Sequence, residues 1–80
     1  MQIIENNQSE IARLRRQIEM QLIAMRSGLT GLSAGSARHD FINARMERIG
    51  SYQHGLACKV GEDAATMLVY GLYTEIMDAQ

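Results

Sequence analysis

The chain has 80 residues, 46% of them hydrophobic and 21% charged, with no proline and a formal net charge of −1. These values exclude a multidomain enzyme, a collagen-like or low-complexity chain, and a disordered segment, whose apolar content would be lower. A single core in so short a chain supplies only ~3–5 kcal/mol, so small domains add a disulfide, a metal or a partner.

Cys58 is the one cysteine, so no intrachain disulfide can form. A lone thiol fits a reducing, cytoplasmic setting. The sequence opens without a basic region followed by an apolar one. Its longest uncharged run near the end, residues 64–74, is far shorter than the ~20 residues of a membrane span. Oligomerisation is the staple that remains, and a homodimer is the favoured form, with no membrane partner.

Charge is unevenly spread. Residues 1–12 carry two acids and no base, residues 13–59 hold all eight bases and a local charge of +5, and residues 60–80 carry −4. Opposite segments of one small chain can attract within a protomer or between two.

The first helix is marked by Ile4, Ile11, Ile18 and Met25 at seven-residue intervals, with Leu14 and Leu22 beside them. They form one narrow stripe, the seam of an amphipathic or coiled-coil helix. Asn7 and Glu10 have the spacing of a capping box, with Ile3 or Ile4 as an earlier start. Asn7 and Gln21 fall at the edge of the seam, where a buried amide would fix register. Gly28 is expected to close the helix after Arg26 or Ser27. The run Gly28–Ser36, with three glycines, reads as a loop into which Leu29 and Leu32 tuck, and Ser33 or Ser36 caps the next helix.

A second helix is expected over residues 37–59, antiparallel to the first, burying Ile42, Met46, Ile49, Gln53, Leu56 and Val60. Gly50 and Gly55 lie inside it and mark close approach or a kink. The small residues Ala37, Ala44, Ser51 and Cys58 recur on another face, where a further helix could come near. Gly61 followed by two acids predicts a stop and restart, with one continuous helix as the alternative. The third helix, residues 62–79, is apolar nearly all round, which requires burial on most sides. Two other helices cannot easily supply it.

The sequence therefore predicts an all-α single domain over residues 1–80: three helices forming an oligomeric bundle, with the third packed on both protomers. The expected interface residues on helix 1 are Ile11, Leu14, Ile18, Met20, Ile23 and Met25. On helix 3 they are Leu68, Val69, Leu72, Tyr73 and Ile76.

Residues able to carry chemistry are few. His54 and Cys58 share a helical face that Asp40 and Glu47 continue, but a zinc site would need donors from a symmetry mate. A thiol nucleophile at Cys58 would lack an orienting group and oxyanion donors. No phosphate loop, helical zinc motif or calcium loop occurs. Arg13, Arg16, Arg45 and Lys59, with Tyr52 between the last two, are the candidates for nucleic-acid contact.

The stretch Leu14-Arg15-Arg16-Gln17-Ile18-Glu19 is similar to the opening of the all-helical chorismate mutases, which are intertwined dimers. Arg15 would match their first arginine. Leu32 stands where the next is expected, and the lysine between the helices and the later Arg-Glu pair are missing. The resemblance implies a shape and not the activity. The sequence thus reads as a non-enzymatic interaction module, without cofactor or metal, that homo-oligomerises or meets a larger protein. A small nucleic-acid-binding protein is the alternative.

Overall fold

The computed structural model describes the backbone of residues 2–31 and 36–78 and the side chains of residues 8–28 and 37–78. Within these the protein is all-helical, with α1 (Gln2–Gly31), α2 (Ser36–Val60) and α3 (Glu62–Met77). Each helix touches both others.

The antiparallel pairing of α1 and α2 is fixed by two close approaches. The Phe41 ring occupies the space over Gly28 where a Cβ would stand, and Leu14 packs on Gly55, a Cβ on which would lie 3.3 Å from Leu14 Cδ1. These contacts are fourteen residues apart on both helices, so the register holds along the pair.

Gly28 therefore has a different role from the one expected. It does not close α1 at Arg26 or Ser27: the helix runs through it to Gly31, because the residue is small enough for Phe41 to cross, not because it takes a left-handed conformation. Residues 28–31 are correspondingly helix rather than loop. Leu29 and the segment 32–35, including Leu32 and Ser33, lie outside the described side chains. Ser36 is the first residue of α2. At the other end α1 is already helical from Gln2, so Glu10 is not a capping-box residue; it pairs with Arg13 instead.

The stop and restart at Gly61 is present. Gly61 has φ 95° and ψ 158°, a conformation nearly confined to glycine. Its N–H donates to Ala57 O at 2.9 Å, and its carbonyl accepts from Ala65 N–H at 3.0 Å, so one residue both ends α2 and starts α3. Glu62 and Asp63 occupy the first turn of α3, where acids complement the positive helix end. The chain doubles back at once, and Gln53 Nε2 donates to Thr66 Oγ1 at 3.3 Å. Gly61→Ala should cost about 1–3 kcal/mol, read as a lowered midpoint in urea unfolding.

The core comprises Leu14, Ile18, Leu22 and Met25 from α1, Ile49 and Leu56 from α2, and Ala65 and Leu72 from α3. The α1 stripe is as the seven-residue repeat requires. The α2 stripe is shifted: Met46 and Val60 are exposed, while Tyr52 and Ala57 pack against the core in their place. The molecule measures 49 × 24 × 20 Å with a radius of gyration of 14.1 Å, against ~12 Å for a compact globule of this length. That elongation follows from helix length, since thirty residues at 1.5 Å span ~45 Å.

A Cβ added at Gly50 or Gly71 would meet nothing within 4 Å beyond its own helix backbone, and neither glycine has a positive φ. Replacing either by alanine should stabilise the isolated chain by about 0.5–1 kcal/mol, measured as a higher unfolding midpoint at low protein concentration.

Candidate functional site

Three helices leave three grooves and three outer ridges, and the chemistry is distributed unequally among them. The outer ridge of α3 is built by helical periodicity from Asp63, Met67, Tyr70 and Thr74, on the side away from Ala65 and Leu72. Met67 is 73% exposed and Tyr70 69%. Thr74 donates its hydroxyl back to Tyr70 O at 2.7 Å. Tyr73 is exposed on the α2 side of the ridge. Burial of α3 on most sides is therefore not achieved within the chain: only Ala65 and Leu72 are fully buried, with Leu68, Val69, Ile76 and Met77 packed against the core.

The expected interface residues divide accordingly. Leu14, Ile18, Met25 and Leu72 are covered by the chain's own core, and Ile11, Leu68, Val69 and Ile76 are half-buried against it. Met20, Ile23 and Tyr73 remain exposed. The sequence does not single out Met67 and Tyr70, because α3 is apolar on so many sides that its pattern does not say which side turns inward.

The groove between α1 and α2 is basic. Two of the four arginine and lysine candidates come near each other there, Arg13 from α1 and Lys59 from α2, while Arg45 lies about four turns from Lys59 along α2. Their proximity shows in the electrostatics. Hydrogen bonding to Arg13 holds the Glu10 carboxyl below its usual range; desolvation opposes it, and the Arg13 charge and, less strongly, the Lys59 charge add to the lowering. The Arg13 guanidinium is raised mainly by its hydrogen bond to Glu10, with a smaller influence from Tyr52. Arg13 Nε donates to Glu10 Oε1 at 3.2 Å. Because the Glu10 value is depressed, the pair's contribution is present above the ordinary glutamate range and lost as pH falls through the lowered one. Arg16, about 60° round α1 from Arg13, instead borders a shallow hollow with Gln8, Ile11, Ala12, Arg15 and Glu19.

Sequence reasoning missed Arg48, which flanks the same groove one turn from Tyr52 and is exposed. Its spacing from Arg45 was visible, but only the antiparallel register shows which face of α2 meets α1. Arg45 lies half-buried with its guanidinium carbon 5.1 Å from the Phe41 ring centroid, a cation–π distance. Arg45 Nε and, across the groove, Gln21 Oε1 are buried without a hydrogen-bond partner. Gln21 is thus the inner-edge amide the seam predicted, whereas the Asn7 side chain lies outside the described residues.

His54 and Cys58 sit exposed on the outer face of α2, with Asp40 and Glu47 exposed below them. Among the described residues no three His, Cys, Asp or Glu side chains come together as a metal site. His54 instead borders a polar hollow with Gly50, Gln53, Ala57, Glu62 and Thr66 beneath the α2–α3 turn. The small residues of α2 also face outward, with Ala37, Ser51 and Cys58 exposed and Ala44 half-buried. No described helix is long and apolar enough to cross a membrane.

No protein-family model, curated protein or solved structure matches this chain. Its class is that of a three-helix all-α chain.

Proposed function

We infer that the chain is a small, non-enzymatic helical interaction module, an accessory, adaptor or regulatory subunit that homo-oligomerises through apolar helix surface. The observation that carries this reading is the exposure of Met67 and Tyr70 on the outer ridge of α3. Burying a large apolar side chain contributes ~1.5–3 kcal/mol, comparable with the whole stability of a domain of this size. A dimer that covers the ridge is the favoured assembly, and a larger protein partner would use the same residues. An exposed free thiol at Cys58 suits a reducing, cytoplasmic compartment.

Sedimentation equilibrium at micromolar concentration tests the reading. The wild-type chain should have a mass above that of the monomer. Met67→Ser combined with Tyr70→Ser should return it to monomer without loss of helical circular dichroism. A folded wild-type monomer over the whole concentration range overturns it.

A second reading, nucleic-acid binding, is favoured by one observation: Lys59 and Tyr52 lie near Arg13 at the α1–α2 groove, with the exposed Arg48 one turn from Tyr52. Arginine forks suit phosphate, and tyrosine stacks on bases. Binding to single-stranded oligonucleotides should weaken steeply with salt, and Arg48→Ala with Lys59→Ala should abolish it.

A further inference from the structure

We propose that the outer ridge of α3 docks, in parallel, on the outer ridge of α1 of a second copy of the chain. This rests on the self-association reading and adds which two surfaces meet and in what register.

The outer ridge of α1 is the face turned away from the buried Ile18 and Met25. On it stand Arg16, Met20, Ile23 and Ser27, all exposed, which fall within ~60° of one another at 3.6 residues per turn. Met20 and Ile23 are half exposed, at 50% and 51%. The outer ridge of α3 carries Asp63, Met67, Tyr70 and Thr74, likewise exposed and within the same ~60°. In each set the later residues follow the first by four, seven and eleven positions. The two ridges thus repeat one order of side chains: a charge, a methionine, a second large apolar residue and a hydroxyl. Only the sign of the charge is reversed.

Steps of four, three and four residues are those of a coiled-coil seam, the stripe that a helix turns toward a partner helix. In a parallel pair held in register, like positions of the two seams face each other. That sets Arg16 against Asp63, Met20 against Met67, Ile23 against Tyr70, and Ser27 against Thr74.

Charge selects this pairing over the others. Among the described residues neither Arg16 nor Asp63 has an ion pair. Parallel packing of either ridge on its own copy would bring like charges together. Antiparallel packing in register, of either ridge on itself or of one on the other, would set each charge against a hydroxyl. Only α3 on α1, in parallel, gives every charge an opposite one, and such complementarity fixes partner and register.

Because the two ridges are different surfaces of one chain, the contact is heterologous. A dimer is its first step, and copies add until the rotation between neighbours closes a ring.

The test is sedimentation of the full chain with substitutions confined to exposed positions, each form checked by helical circular dichroism. Met20→Ser with Ile23→Ser disables the α1 ridge alone, and Met67→Ser with Tyr70→Ser the α3 ridge alone. Each form should be monomeric. Their equimolar mixture should give a one-to-one dimer that grows no further, because it keeps a single working ridge of each kind. The charges are read separately: Arg16→Asp and Asp63→Arg should each weaken self-association at least about tenfold by placing like charges in the seam. The chain carrying both should regain the wild-type size. Should a serine form lose its helical signal, the charge exchange decides alone.

Assembly that survives Met20→Ser with Ile23→Ser, a mixture that stays monomeric, or a charge exchange without rescue overturns the docking mode and leaves self-association standing. A monomeric wild type overturns both.

Discussion

Leu56→Ala should leave the chain largely unfolded at 25 °C. The Leu56 side chain is fully buried, and its removal deletes apolar contacts and leaves a cavity, at about 2–5 kcal/mol. A domain of this size has only ~3–5 kcal/mol to lose, so the substitution consumes most or all of the margin. The expected readout is a helical signal that is already falling at the lowest urea concentration. Met67→Ala, removing a side chain of similar volume from the outer ridge, should shift the midpoint of the monomer by no more than ~0.5 kcal/mol. Equal effects of the two would mean that α3 packs the other way round.

Gly28→Leu is expected to be nearly as damaging, through excess rather than loss. A Cβ at residue 28 would fall within the Phe41 ring, so the ring must leave its place and with it the position under the Arg45 guanidinium. Forcing such a displacement costs about 1–3 kcal/mol. Phe41→Ala in the same chain should recover part of that loss, and the non-additivity of the two changes measures the contact. Had Gly28 been a helix-closing residue, Phe41→Ala would give no relief.

The contrast between Gly28 and Gly61 shows what was legible in the sequence. Gly61 is flanked by the end of one apolar pattern and by two acids that suit a helix start, so local chemistry alone predicts the break. Gly28 carries the same local signal of a helix end, and the deciding group is an aromatic ring on the next helix. A contact between residues thirteen apart in the chain leaves no trace in the pattern around either. The α1 seam was readable because its apolar residues repeat every seven positions, with only Met20 and Ile23 of the described large apolar side chains standing off it. On α3 the apolar residues encircle the helix, and only the packed structure distinguishes Leu72 from Tyr70.

The basic groove was half-legible for a related reason. The seven-residue spacing of Arg38, Arg45, Tyr52 and Lys59 places them on one face of α2. The approach of Tyr52 and Lys59 to the Arg13–Glu10 pair depends on the register fixed by Gly55 and Leu14, which is a property of two helices together. Arg16, about 60° round α1 from Arg13, is turned farther from α2 and borders the hollow beside Arg15 and Glu19.

The connection between α2 and α3 is a single residue whose amide and carbonyl are both tied into neighbouring turns. Such a joint has no slack, so α3 cannot shift sideways or slide along the bundle by small adjustments of a tether. It swings as one rigid lever of ~24 Å about one pivot, and any excursion uncovers Ala65 and Leu72 together. A neighbour that grips the outer side of that lever therefore also clamps its inner side, and assembly and folding of the last helix become one event.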